Sequence, residues 1–169
     1  MKRNRWVISD THFSHNNIIR YCDRPFDGIL PMNATIIQNW NSVVSPEDEV
    51  FHNGDVALGP FVAVPDIIKQ LNGYKILILG NHDRKAKQMR SVGFDEVYQD
   101  KVIEHNGVRL WLNHYPIFAE RKADMHLYGH VHNCTPKDAP KWSRNMCVEV
   151  NNYTPVSLDV IVDDYLRMA

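Results

Sequence analysis

The chain has 169 residues, enough for one domain (1–169) to bury a core without disulfides or a structural metal. Hydrophobic residues make up 44% and charged residues 23%, which excludes a disordered chain, and no apolar run approaches the roughly 18 residues that span a bilayer. A formal net charge of −1 excludes a protein built mainly to coat a long polyanion, although a local basic patch is compatible with it.

The opening MKRNRWVISD carries basic residues, but its apolar run is too short for a secretory signal and ends in Asp10, so it reads as a first strand. Met32, Ile36, Trp40 and Val43 recur at helical spacing. DEVFHNGD (48–55) and YKILILGNHD (74–83) repeat the pattern of an apolar strand running into a polar loop. Between them, residues 65–71 start at proline and stop at Asn72-Gly73, the signals of a short helix. FDEVYQDKVIEH (94–105) and VRLWLNH (108–114) flank Asn106-Gly107, which predicts an antiparallel hairpin. DMHLYGHVH and NMCVEV supply two more strands, and Leu158, Ile161, Val162, Tyr165 and Leu166 form the stripe of a closing amphipathic helix.

Five apolar runs therefore end in polar motifs: DTH at 10–12, NGD at 53–55, GNHD at 80–83, NHY at 113–115 and GHVH at 129–132. Ligands of α/β sheets gather outside the carboxyl ends of strands, so these loops can converge although they are scattered along the chain. Residues at i and i+2 of an extended segment share a side, so Asp10 with His12, and His130 with His132, can each chelate. Oxygen and imidazole donors without thiolate suit Mn²⁺, Fe or Zn²⁺ better than a structural zinc. There are too many of them for one tetrahedral ion, and two ions sharing a carboxylate is the economical arrangement. Cys22, Cys134 and Cys147 are far apart and outside any CxxC pattern, so they suggest neither a disulfide framework nor a thiolate site, and point to a reducing cytoplasm.

The ordered set Asp10-Thr11-His12, Gly54-Asp55, Gly80-Asn81-His82-Asp83, His114 and Gly129-His130-Val131-His132 resembles the calcineurin-like metallophosphoesterase family. The resemblance implies an α/β fold, a four-layer α/β/β/α sandwich of two mixed β-sheets flanked by helices. It implies that Asp10, His12 and His132 bind one divalent ion, that Asn81, His114 and His130 bind a second, and that Asp55 bridges them. Mn²⁺ is the favoured ion, with Fe, Zn²⁺ or Ni²⁺ as alternatives. Two such ions would clamp a phosphoryl group and generate a bridging hydroxide for in-line attack. His82 would hydrogen-bond the phosphoryl oxygen or protonate the leaving alkoxide, with Asp83 orienting it.

Other residues carry alternatives. His15 and Asn16 either face substrate or cap the helical pattern in NNIIRYC. Arg20 and Arg24 either meet phosphate or lie on a solvated surface, as do Arg84, Lys85, Lys87 and Arg90. Asn53 could hold a ligand by hydrogen bonding, His52 and His126 read as structural or as supports behind the ligands, and His105, at the hairpin turn, as incidental. No long insertion separates the motifs and little chain follows His132, which leaves an open site. The resemblance therefore implies a phosphodiesterase acting on a phosphodiester, nucleotide or nucleic-acid-like. A phosphomonoesterase is the alternative within the class, and a noncatalytic protein-binding scaffold the alternative outside it.

Overall fold

The computed structural model describes residues 3–168. Met1, Lys2 and Ala169, the outermost residues of the expected domain, lie outside the described residues. Strands β1 (Arg5–Ile8), β2 (Glu49–His52), β3 (Tyr74–Ile78) and β4 (Glu96–Tyr98) run parallel, and β9 (Val156–Ser157) adds antiparallel to β1, giving the order β4-β3-β2-β1-β9. The second sheet has the order β5-β6-β7-β8, from β5 (Asp100–His105), β6 (Val108–Asn113), β7 (Met125–Tyr128) and β8 (Ser143–Asn145). Its β5–β6 pair is antiparallel and the rest parallel, so both sheets are mixed.

The near-continuous apolar strands follow from burial on both faces. Ile8, Val50 and Leu77 face one core, together with Met32, Ile36 and Trp40 of α2 (Ile29–Val43) and Ile18 of α1 (Asn16–Tyr21). Ile67 and Ile68 of α3 (Val64–Ile68) and Met89 of α4 (Ala86–Ser91) complete that layer. Their neighbours Val7, Phe51, Ile76 and Ile78 face a second core against Leu110, Leu112 and Leu127 of the other sheet. Leu158, Ile161 and Val162 of α5 (Leu158–Met168) join this inter-sheet core. Among the described residues no helix is long and apolar enough to cross a membrane.

Several expected elements are redrawn. Residues 94–105 are not one strand: the chain bends at exposed Gln99, sending β4 to the first sheet and β5 to the second. The GHVH strand stops at Tyr128, and NMCVEV is not a strand, because the chain leaves β8 at Asn145 and Val148–Val150 forms a 3-10 turn. Leu166 is 54% exposed, beyond the reach of the sheets. The hairpin forms as expected, with positive φ at both Asn106 and Gly107. His105 is not incidental: it is buried, and its Nε2 lies 2.6 Å from Asp159 Oδ1, fastening α5 to the hairpin.

Candidate metal centre

All five polar motifs lie at the carboxyl ends of parallel strands or just beyond them, and cross-sheet hydrogen bonds draw them together. His130 N–H donates to Asp10 Oδ2 at 2.9 Å, His114 Nδ1 lies 2.7 Å from the Asn53 carbonyl, and Asn53 Nδ2 donates to the Leu127 carbonyl at 2.7 Å. Asn53 thus does hold a neighbouring side chain, through its backbone oxygen. Gly80 and Gly129 permit the close approach. A Cβ on Gly80 would lie 2.2 Å from Asp55 Oδ1, and one on Gly129 2.3 Å from Asp10 Oδ2.

The extended i, i+2 geometry is replaced by something tighter. Asp10 (φ 59°), His12 (47°), Asp55 (57°), His130 (72°) and His132 (50°) all adopt left-handed backbone. Such positions are costly for these residue types and cluster at functional sites. The turns aim each pair inward where a straight strand would carry the second member away.

Two triads of donor atoms result, Asp10 with His12 and His132, and Asp55 with His114 and His130, each within 4.8 Å of one another. Asp55 Oδ2 lies 3.5 Å from both His12 Nε2 and His114 Nε2, so this one oxygen touches both groups. Asn81 Oδ1 is 3.1 Å from His114 Nε2, which adds it to the second triad. Two donors sharing an ion at about 2.1 Å each stand roughly 3.0–3.5 Å apart; the contacts of Asp55 and Asn81 with His12 and His114 match this spacing, while His12 and His132 stand slightly farther from Asp10 Oδ1, at 3.9 and 3.8 Å.

The donor atoms also fit a cation by their lack of other partners. Asp10 Oδ2 accepts from the Ser9 hydroxyl, the Cys147 thiol and His130 N–H, while Oδ1 is buried with no hydrogen-bond partner. His12 Nε2 is likewise buried and unpartnered. An unpaired buried carboxylate oxygen costs several kcal/mol unless a cation meets it. The hydrogen bond from His114 Nδ1–H to the Asn53 carbonyl orients the ring so that Nε2 faces Asp55 and Asn81.

Two residues that no motif signalled support this arrangement. Glu149 Oε1 lies 2.9 Å from His132 Nδ1, the carboxylate–imidazole contact that fixes a ligand's ring and raises its basicity. Arg24 is 4% exposed, so it is neither a solvated nor a phosphate-facing residue. Its guanidinium donates to Glu149 at 2.6 Å and to the Asp10 and Thr11 carbonyls at 2.8 and 2.9 Å. Burial opposes charging of His132, but the Cys22 thiol, Glu149 and Asp10 outweigh it and carry its pKa up to about 10. Burial also opposes the Asp55 charge, yet the His114 and His12 rings hold its carboxyl well below the usual range.

His82 stands at the rim, its side chain 42% exposed, with Nε2 4.0 Å from Asp55 Oδ2 and its N–H donating to Asp55 Oδ1. Asp83 does not orient it by a side-chain bond: its carboxylate accepts N–H bonds from Asp55, Val56 and Gly80, so it shapes the loops that carry the ligands. His15 makes no capping bond with its side chain, and its Nδ1 lies 3.3 Å from His12 Nδ1, at the site. Asn16 and Arg20 border a separate hollow that contains none of the donors. His52 and His126 are buried and belong to neither donor triad; His52 is bonded to Thr11, between two of the donors in the chain, and His126 is stacked on Trp111.

Residues 4–144 match the calcineurin-like phosphoesterase superfamily domain. An uncharacterised protein of Methanocaldococcus jannaschii is 39% identical over 169 aligned residues, covering 95% of this chain and 90% of that one. A crystal structure of a protein of unknown function from Aquifex aeolicus, 33% identical, superposes with a TM-score of 0.77 over 96% of this chain and 99% of that one. The phosphoesterase Yfce from E. coli, 17% identical, shares the fold with a TM-score of 0.54 over 85% and 78% of the two chains. With the family match spanning most of its length and two donor triads converged at its strand ends, the chain belongs to the calcineurin-like phosphoesterase superfamily and is a metal-dependent phosphoesterase.

Proposed function

We propose that the protein is a dinuclear phosphodiesterase, in which Asp10, His12 and His132 would hold one divalent ion, Asn81, His114 and His130 would hold another, and Asp55 would serve both. The observation that carries this reading is Asp55 Oδ2, equidistant at 3.5 Å from a nitrogen of each triad. Divalent ions, when bound, supply Lewis acidity toward phosphoryl charge and toward water. The chain's own part is to place these donors without cost at the moment of reaction, since hydrogen bonds already fix Asp10, His114 and His132.

In hydrolysis the oxygen of water bonds to phosphorus, the ester bond to one arm breaks, and the departing oxygen takes a proton, leaving an alcohol and a monoester. His82 would offer its ring N–H to the phosphoryl or departing oxygen, a role supported by its exposed imidazole at the rim, anchored through its backbone to Asp55. A site open enough to leave that ring 42% exposed supports the diester, which needs room for two substituents.

The test compares bis(p-nitrophenyl) phosphate with p-nitrophenyl phosphate, using metal-stripped protein before and after Mn²⁺ is restored. We expect Mn²⁺-dependent cleavage favouring the diester. Asp55→Asn should lose bound metal and turnover together, whereas His82→Ala should keep metal and lose roughly 10²–10⁴-fold in rate. Preference for the monoester would make the protein a phosphomonoesterase, and silence with every ion tried would favour a noncatalytic scaffold.

A further inference from the structure

Leu58 and His82 form a ridge shared by two cavities, one largely apolar and the other mixed, its apolar Phe61, Val64 and Met89 standing beside Arg84, Lys85 and Gln88. On one side a cavity of about 450 Å³ has His12, His82 and His132 as its wall toward the site and Ile18, Cys22 and Tyr21 as its apolar floor and edge. Tyr21 is 63% exposed, meeting His15 edge to face at a centroid distance of 6.4 Å, with the Arg20 guanidinium 5.6 Å from the ring centroid and the rest of the ring open to solvent. On the other side a cavity of about 370 Å³ is lined by Arg84, Lys85 and Gln88, with the Arg84 guanidinium 4.9 Å above the Phe61 ring. Asp83 also borders it, but that carboxylate is occupied by the three backbone N–H groups described above.

We propose that these cavities receive the two arms of a linear phosphodiester, a planar aromatic arm on the Tyr21 shelf and an anionic arm beside Arg84 and Lys85, with the scissile phosphoryl group at His82 between them. The proposal rests on the phosphodiesterase reading and goes beyond it in assigning each arm. A monoester has one arm and would leave one cavity without use. A small cyclic diester folds both ester oxygens back onto one group and cannot occupy both sides of the ridge. A flat ring is what an exposed tyrosine recognises by stacking. A guanidinium and an ammonium side by side recognise phosphate, by fork and by point charge respectively. A planar arm joined through one phosphodiester to an arm bearing further negative charge is the chemistry of a short nucleotide chain that carries a second phosphate.

Two chromogenic probes separate the arms: thymidine 5′-(p-nitrophenyl phosphate), and the same compound with a 3′-phosphate. With Mn²⁺-loaded protein at low salt, the added phosphate should lower KM about fivefold, an advantage that shrinks as salt rises. In the double variant Arg84→Gln/Lys85→Gln the two KM values should come together. Tyr21→Ala should raise KM for both probes about fivefold with kcat retained, and Tyr21→Phe should restore it. Cleavage of both probes with equal KM, in the parent and in every variant, would overturn the arm assignment while leaving the phosphodiesterase reading intact. Failure to cleave either probe or bis(p-nitrophenyl) phosphate would overturn that reading and the assignment with it.

Discussion

Asp10 divides its labour between its two oxygens. Three donors hold Oδ2, and Oδ1 is left to the site. The same division recurs in His132, where Nδ1 belongs to Glu149 and Nε2 faces Asp10 Oδ1 at 3.8 Å. Glu149→Gln keeps the shape but removes the charge that makes this imidazole a better donor. We expect it to weaken Mn²⁺ binding about 10–100-fold with the fold retained, measured by calorimetric titration of the metal-stripped protein. An affinity equal to the parent's would make Glu149 a packing residue only. The motif ligands were legible in the sequence because each follows an apolar strand and carries its own signature. Glu149 and the buried role of Arg24 were not, since these two lie 125 residues apart in the chain, Glu149 lies 17 from His132, and only the 3-10 turn after β8 brings the carboxylate to both.

At the level of elements, the strand-to-loop transitions matter more than the strands. Hydrophobic periodicity placed β1, β2, β3 and α2 because each buries a regular face, and it located the hairpin because Asn106-Gly107 favours positive φ at both central residues. It merged β4 with β5, since an apolar alternation looks the same whichever sheet receives it. It also carried the histidine pair along a straight strand, because left-handed backbone at Asp10, His12, His130 and His132 is imposed by tertiary contacts and not by the residues' own preference. Gly129 is the tightest of these transitions, with a built Cβ only 2.0 Å from Ser9 Oγ. Gly129→Ala must therefore push Ser9 and Asp10 aside. We expect about 1–3 kcal/mol of lost stability by urea unfolding, together with weakened metal binding; a variant with the parent's stability and affinity would show that the β7 turn has slack.

For the molecule as a whole, stability should track a histidine far from the chemistry. His126 is 1% exposed and stacked on Trp111 at 4.2 Å, with neither ring nitrogen hydrogen-bonded, and burial lowers its pKa to about 4. The unfolded chain, with an ordinary imidazole near 6.5, binds more protons than the folded one between these values, so stability rises with pH across that window. His126 thus costs nothing above pH 6.5 and progressively more as pH falls, reaching about 3 kcal/mol below pH 4. His126→Phe should flatten this part of the curve of urea midpoint against pH relative to the parent, and parallel curves would show that the ring is protonated without penalty.

The metal centre draws Asp10, Asp55 and Asn81 from loops after the first sheet, and His114, His130 and His132 from loops after the second. Its geometry is therefore a measure of how the sheets are seated on each other, and the contacts from Asn53 to Leu127, from His114 to Asn53 and from His130 to Asp10 hold that seating at the one place where it counts. Apolar burial between the layers is non-directional, whereas misplacement of about one ångström at a reacting centre can cost about a hundredfold in rate. In this protein catalytic tolerance is narrower than folding tolerance, and substitutions that let the layers shear will silence the enzyme well before they unfold it.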